Sequence, residues 1–281
     1  MKRIGIIGVG EIGRALVEGL RDPAGPTPEV FLSPRSARTS ADLSERYEGV
    51  HVCADNQQVA DRSELVIVAV RRQDRHEALD GLRVDGSKVV VNVMAGVTND
   101  DLRSMLATDT ARTTRATPAT PATPAADATL VRAIPLPSVR ERRSVTVTYP
   151  SHPAVDSFFE QLGGALPVAD EAAFDVFSAL TGTLTAHYAY LATLTSWAAG
   201  HGIPAHDAEH YVRGLFQAVG RALGDETRSL QQLSADHETP RGNNERIRTT
   251  WFDETNAATL SNALDDLLND LRPPPDHRVH P

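Results

Sequence analysis

Three features of the sequence predict an α/β chain in which an N-terminal parallel-sheet domain is followed by an all-helical domain. Short apolar, β-branched runs alternate with helical patterns through the first half. A glycine-rich turn joins the first apolar run to the first helical pattern. After Val168 the strand signal fades, and helical patterns fill the rest.

Residues 4–9 read as a buried strand and residues 11–21 as a helix with Ile12, Leu16, Val17 and Leu20 on one face. Residues 30–32, 65–70 and 89–93 read as further strands, with helical stretches over 42–47, 75–82 and 99–106 between or after them. Runs at 129–134 and 144–149 are expected as edge strands. Helices are expected over 174–199, 205–223, 228–233 and 257–271, with Ile203-Pro204 separating the first two. The division is therefore residues 1–168, residues 169–272 and a proline-rich tail over 273–281. Residues 108–127 hold a three-fold Ala-Thr-Pro repeat, where proline removes backbone donors and favours extended chain. This insertion reads as a surface loop or as a flap over an active site, and the sequence leaves both open.

Composition narrows the function. The 281 residues are 41% hydrophobic and 23% charged, which suits globular domains rather than a disordered or fibrous chain. The net charge of -9 argues against nucleic acid and anionic membranes as partners. Cys53 is the single cysteine, so no internal disulfide forms, in keeping with a cytoplasmic setting. Residues 1–9 mimic the start of a signal peptide, but Glu11 and Arg14 interrupt it. Residues 184–199 are apolar yet shorter than the ~20 residues of a span. Only Lys2 and Lys88 are lysines, which argues against any mechanism needing a lysine late in the chain. No metal-ligand cluster is expected.

Gly8-Val9-Gly10-Glu11-Ile12-Gly13 is a GxGxxG motif placed between a strand and an amphipathic helix. Gly8 suits the tight turn, Gly10 the approach of a pyrophosphate, and Gly13 close packing of helix on strand. The helix N-terminus adds free N–H groups and a positive dipole end. This predicts a Rossmann-type dinucleotide domain. An NAD-binding chain usually carries an acid after the second strand. Here that place reads Ser33-Pro34-Arg35-Ser36-Ala37-Arg38, whose guanidiniums and hydroxyls suit a 2'-phosphate, so NADP(H) is favoured over NAD(H).

With these motifs in order, the chain resembles the pyrroline-5-carboxylate reductases over most of its length. Ala54-Asp55-Asn56 is similar to the family segment whose Asn approaches the adenosine side of the cofactor. Ala69-Val70-Arg71-Arg72-Gln73-Asp74 resembles Ala-Val-Lys-Pro-Gln-Asp, and Met94-Ala95-Gly96-Val97 resembles Ala-Ala-Gly-Val. The segment 132–137 resembles Arg-Val-Met-Pro-Asn-Thr-Pro, and 179–183 resembles Ala-Leu-Ser-Gly-Ser. His201-Gly202-Ile203-Pro204 resembles a Leu-Gly-Leu-Pro link between helices. Thr239-Pro240-Arg241-Gly242-Asn243-Asn244 resembles Ser-Pro-Gly-Gly-Thr-Thr, the loop that holds the substrate carboxylate in that family. The departures fall mainly in the substrate half. Leu184-Thr185 replaces Gly-Pro, Arg241 replaces a glycine, Asn243-Asn244 replace hydroxyl residues, and Pro135-Leu136-Pro137 lacks the Asn and Thr.

The resemblance implies reduction of a C=N bond by a nicotinamide cofactor, with pyrroline-5-carboxylate going to proline. Its cofactor residues map to Gly8, Gly10, Glu11, Ile12, Gly13, Ser33, Arg35, Arg38, Asn56, Val70, Arg71 and Ala95. Such chemistry asks for positioning of hydride donor and imine, and for a weak acid or water to supply a proton. The candidate catalytic residues on the long helix are Thr181, Thr183, His187 and Tyr190, with Tyr188 beside them. His187 and Tyr190 are three apart and share a face. Arg241, Gly242, Asn243 and Asn244 are the candidate substrate-binding residues, Arg241 either pairing with an anion or standing exposed. His206, His210 and His237 read as surface residues.

Three other readings compete. One is an imine reductase acting on a different cyclic imine in secondary metabolism, motivated by the altered loop. Another is a non-catalytic NADP-binding regulator. The third, a β-hydroxyacid dehydrogenase, lacks its helix lysine. Leu180, Leu184, Leu191, Leu194, Leu215, Phe216, Val219 and Leu223 exceed what a small helical layer covers, so a homodimer or a ring of dimers is expected. In the resembled family those helices interlock between two subunits, and the active site lies at that junction.

Overall fold

The computed structural model describes residues 1–21, 27–113 and 128–272, and for 107–113 the backbone alone. The insertion expected over 108–127 lies outside the described residues except where a helix runs on to Thr113, and so does the tail over 273–281. The chain divides into two compact units, Met1–Phe177 and Ser178–Pro281.

The first unit carries strands β1 (Arg3–Ile7), β2 (Glu29–Leu32), β3 (Val50–Val52), β4 (Leu65–Val68), β5 (Val89–Asn92), β6 (Thr129–Ile134), β7 (Thr146–Tyr149) and β8 (Ala165–Pro167). They form one sheet in the order β3-β2-β1-β4-β5-β6-β7-β8. Every neighbouring pair is parallel except β6 with β7. Helices α1 (Glu11–Leu20), α2 (Ala37–Arg46), α3 (Asn56–Arg62), α4 (Arg75–Leu79), α5 (Asn99–Thr113) and α6 (Pro153–Glu160) connect or flank these strands.

Period-two alternation explains the two-faced core. Ile4, Ile6, Val30, Leu32, Leu65, Ile67 and Val91 turn to one face, where Leu16, Val17, Leu20, Phe158 and Phe159 cover them. Ile7, Phe31, Val66, Val68 and Val90 turn to the other, against Val59, Leu79 and Leu102. Cys53 is buried in this second cluster, where burial pushes its thiol up.

The runs expected as edge strands lie inside the sheet. β8 pairs with β7, so β8 and β3 are the edges. β8 is too short and too proline-interrupted to read as a strand, but the loop before it supplies the carbonyl of Gly164 to the amide of Thr146 at 2.9 Å. Buried Arg132 on β6 gives Nη1 to Glu171 Oε1 at 2.7 Å and to Asp175 Oδ1 at 3.1 Å. Its guanidinium also stacks 4.2 Å over the Phe174 ring. These contacts hold the start of α7 (Glu171–Leu180) to the sheet.

The helix expected over 174–199 is two helices, α7 and α8 (Thr183–Gly200). Around Gly182 the amides of Thr181 and Gly182 bond three residues back, to Ser178 at 3.2 Å and Ala179 at 3.0 Å, and this tight turn ends α7. The second unit continues with α9 (Ala205–Ala222), α10 (Leu230–Asp236), α11 (Asn243–Trp251) and α12 (Glu254–Leu271). α8 packs on α9, yet no residue of α8 is buried. Among the described residues no helix is long and apolar enough to cross a membrane.

Candidate cofactor and substrate sites

The first unit opens a cleft of about 710 Å³ at the carboxyl ends of β1, β2, β4 and β5. That is where parallel α/β sheets bind ligands, and the volume is of the size that small-molecule sites have. Gly8 follows β1 with φ +95°, and a Cβ there would lie 2.7 Å from the Ala69 carbonyl carbon. Only glycine fits both the angle and the approach. Gly13 does not line the cleft. A Cβ on it would lie 2.6 Å from the Gly8 carbonyl oxygen, so its bareness seats α1 on the turn.

Gly10 is the N-cap of α1, and no side chain caps that end. A Cβ on Gly10 would meet nothing within 4 Å. The first turn of α1 thus has no side-chain cap, and Gly10, Glu11 and Ile12 line the cleft, which is the environment a diphosphate needs. The Glu11 carboxylate pairs with Arg140 from the 3₁₀ turn Pro137–Glu141.

Of the residues expected to read the 2'-phosphate, Ser33 and Arg35 line the cleft and Arg38 is an exposed residue outside the lining. The Ser33 hydroxyl is buried and accepts the Gly8 amide at 2.9 Å, so it holds the chain's own turn. Arg35 Nη2 lies 3.1 Å from Glu77 Oε2 and 3.6 Å from Asp74 Oδ1. Ser36 also lines the cleft. Asn56, first residue of α3, gives Nδ2 to the Ala78 carbonyl at 2.8 Å and presents its other face to the cleft. Val70, Arg71 and Ala95 complete the expected set.

Arg72, Asp74 and Ala78 line it too and were not expected. Arg72 and Asp74 belong to the segment 69–74, whose likeness was read only as far as Arg71 for ligand contact. Arg71 Nε bonds Asp74 Oδ2 at 3.0 Å, whereas the guanidinium of Arg72 has no hydrogen-bond or ion-pair partner among the described residues.

The residues proposed from the helical half lie in the second unit. The hydroxyls of Thr181 and Thr183 donate to the carbonyls of Ser178 and Leu180, each at 2.7 Å. His187 is exposed and meets the edge of Phe216 at 6.1 Å. Tyr190 packs on Phe216 at 5.6 Å and stacks on Trp251 at 5.1 Å with the rings nearly parallel. Tyr190 and Asn244 both line a second cavity, of about 520 Å³, with Trp251 and Phe252. Thr181, Thr183, His187, Arg241, Gly242 and Asn243 do not line it.

The expected carboxylate loop is in part a helix start. Gly242 is the N-cap of α11, and Asn243 and Asn244 form its first turn. Asn244 Nδ2 donates to the His237 carbonyl at 2.7 Å. Arg241 has φ +63°, and its amide donates to the Glu245 carboxylate. The Gly242 amide donates to the Thr239 carbonyl at 2.7 Å. The α11 start was missed because Gly-Asn-Asn reads as turn chemistry rather than as a helix. His206, His210 and His237 are exposed. Among the described residues no group of three or more His, Cys, Asp or Glu is arranged to hold a metal.

Comparisons with known proteins agree with this layout. A sequence model of the family described as "NADP oxidoreductase coenzyme F420-dependent" matches residues 3–96. Pyrroline-5-carboxylate reductase 2 of Bacillus subtilis (strain 168) is 22% identical over 256 residues, 87% of this chain and 85% of its own. The pyrroline-5-carboxylate reductase of Corynebacterium melassecola is 26% identical over 256 residues, 86% of this chain and 87% of its own. The 1-pyrroline-5-carboxylate reductase of Streptococcus pyogenes shares the fold with a TM-score of 0.73 at 20% identity, covering 96% of this chain and 97% of that one. The Plasmodium falciparum pyrroline carboxylate reductase, solved with NADP bound, matches with a TM-score of 0.73 at 15% identity over 96% and 97%. An imine reductase from Pseudomonas sp. matches with a TM-score of 0.57 at 17% identity over 97% and 88%. The sequence matches run through both halves, and the fold agrees over the same length. Over most of its length the chain is similar in sequence to pyrroline-5-carboxylate reductases, and it shares their fold.

Proposed function

We propose that the protein is an NAD(P)H-dependent reductase of a carbon–nitrogen double bond, with pyrroline-5-carboxylate as substrate and proline as product. The carrying observation is the uncapped α1 N-terminus at Gly10, open to a cleft of about 710 Å³, in a chain whose named relatives match both of its halves. When bound, the cofactor supplies a hydride. The residues that would hold it are Gly8, Gly10 and Ile12 at the diphosphate, Arg35 and Ser36 at the adenosine ribose, and Asn56, Val70 and Ala95 along the walls.

A preference for NADP(H) rests on Arg35, because the Ser33 hydroxyl is engaged by Gly8. Glu77 and Asp74 beside Arg35 temper that preference. Thr181, Thr183, His187 and Tyr190 are proposed to orient the imine and to relay its proton. Both threonine oxygens keep lone pairs free to accept from a protonated imine. Arg241, Gly242, Asn243 and Asn244 are proposed to hold a substrate carboxylate through the open first turn of α11.

One observation favours a second reading, an imine reductase acting on another cyclic imine. The Glu245 carboxylate already takes the Arg241 amide, and the Thr239 carbonyl takes that of Gly242, so two loop donors are engaged by the chain itself. The decisive assay mixes the protein with NADPH or NADH and pyrroline-5-carboxylate and follows the absorbance of reduced cofactor. Rapid oxidation with NADPH favoured supports the first reading. Turnover only with imines that lack a carboxylate supports the second, and tight binding without turnover on any imine overturns both.

The helical unit is proposed to assemble a homodimer, or a ring of dimers, in the cytoplasm. Leu180, Leu184, Leu215, Val219 and Leu223 are exposed large apolar side chains, and α8 buries nothing within the chain. Light scattering at micromolar concentration should give at least twice the mass of 30.3 kDa.

A further inference from the structure

The charged residues that line the cleft are Glu11, Arg35, Arg71, Arg72 and Asp74. Four of them are paired. Glu11 pairs with Arg140, Arg35 with Glu77 and Asp74, and Arg71 with Asp74. The guanidinium of Arg72 is the one left without an acidic partner among the described residues. It lies against the turn after β5, where a Cβ on Gly96 would stand 3.2 Å from Nη1. Proline stands at this position in the family motif that residues 69–74 resemble, so this cation is a feature of this chain.

We propose that Arg72 holds the diphosphate of the bound dinucleotide. The inference rests on the cofactor reading of the cleft. A diphosphate brings two negative charges, while the α1 N-terminus offers about half a positive charge. Glu11 in the first turn works against even that. A cation in the cleft lining complements the charge that the helix end leaves unmatched. Ala69 and Val70 lie against Gly8, and Arg72 follows them in the lining of the same cleft. A planar guanidinium matches phosphate oxygens in bidentate fashion. Arg35 is engaged elsewhere, reaching from the end of β2 to Asp74 and Glu77. The two arginines thus serve different phosphates, Arg35 the 2'-phosphate and Arg72 the diphosphate.

The test compares wild type with Arg72→Gln, Arg72→Lys and Arg35→Gln by calorimetry. The probes are ADP-ribose, which has the diphosphate alone, 2'-AMP, which has the 2'-phosphate alone, and NADH and NADPH. Arg72→Gln should weaken ADP-ribose, NADH and NADPH by a common factor of about ten, leave 2'-AMP unchanged, and flatten the salt dependence of binding. Arg72→Lys should keep part of the affinity. Arg35→Gln should weaken 2'-AMP and NADPH only. Arg72 is exposed, so melting curves should coincide. Unchanged ADP-ribose binding in Arg72→Gln overturns the proposal, as does a loss confined to 2'-AMP and NADPH or to the KM of the imine. Failure of the wild type to bind ADP-ribose or either dinucleotide would instead remove the cofactor reading, and the proposal with it.

Discussion

The amide of Gly8 donates to the hydroxyl of Ser33 at 2.9 Å, joining the glycine turn after β1 to the end of β2. Ser33 is buried, so no water replaces it easily. Ser33→Ala should leave the Gly8 amide without a partner and cost about 1–3 kcal/mol. Because the turn itself loosens, affinity for NADH and NADPH should fall together. A melting curve and two calorimetric titrations check this. A loss confined to NADPH would mean that the hydroxyl reads the 2'-phosphate instead.

Gly10 and Gly13 should fail in opposite ways. Gly13→Ala pushes a methyl to within 2.6 Å of the Gly8 carbonyl oxygen and should lower stability by about 1–3 kcal/mol. Gly10→Ala meets nothing in the folded chain and should melt within about 2 °C of wild type. Its methyl enters the space a diphosphate would use, so dinucleotide affinity should drop about tenfold or more. Thermal melts and cofactor titrations of the two variants separate the roles.

Glu77 Oε2 stands 3.1 Å from Arg35, and its side chain is 74% exposed. Glu77→Gln should release Arg35 and tighten NADPH about two- to fivefold, the scale of an exposed ion pair, with NADH unchanged. Equal gains for both dinucleotides would show that Arg35 does not act on the 2'-phosphate.

Arg132 and Asp175 are nearly sealed, with side chains 5% and 6% exposed. Arg132→Gln leaves a buried carboxylate without its cation and should destabilise the first unit by about 3–5 kcal/mol. Restoring an apolar pair, Arg132→Met with Asp175→Leu, should recover much of that loss. Chemical denaturation of the single and double variants measures the difference.

The Glu64 carboxyl is held below the usual range, chiefly by the Lys2 amide at 3.0 Å and further by Arg3 at 3.4 Å. A lowered folded pKa means that its stabilising contribution is present above the unfolded value of about 4.3 and is lost as pH falls through the folded one. Glu64→Gln should therefore lower Tm at about pH 7 and converge on wild type once pH has fallen below the folded value. A deficit that persists in acid would show that packing, not ionisation, is lost.

Much of the fold was legible from local pattern; the unexpected elements are the short strands β3 and β8 and the short helices α3, α6 and α11. The strands whose apolar residues alternate or run unbroken were all found. β3 and β8 have three residues each and take their strand form from neighbours rather than from their own side chains. α11 begins at Gly242-Asn243-Asn244, where local propensity favours a turn and the rest of the helix decides otherwise. At the cleft, Gly8 has the positive angle and Gly13 the close approach that the motif predicts, because both restrict residue type. The state of the arginines was not readable. Whether Arg35 or Arg72 is paired depends on Glu77 and Asp74, which lie far from Arg35 along the chain.

By itself the sequence determined the strand–glycine turn–helix at the N-terminus, the alternation of strands and helices in the first half and the helical second half. Hydrophobic period and glycine geometry are local properties that any packing must respect. Tertiary structure alone decided that the Ser33 hydroxyl serves Gly8, that Arg132 is sealed against Asp175, and that Arg72 stands beside Gly96 with no acidic partner among the described residues. Side-chain partners are set by which distant segments the sheet order brings together, and no local period encodes that order.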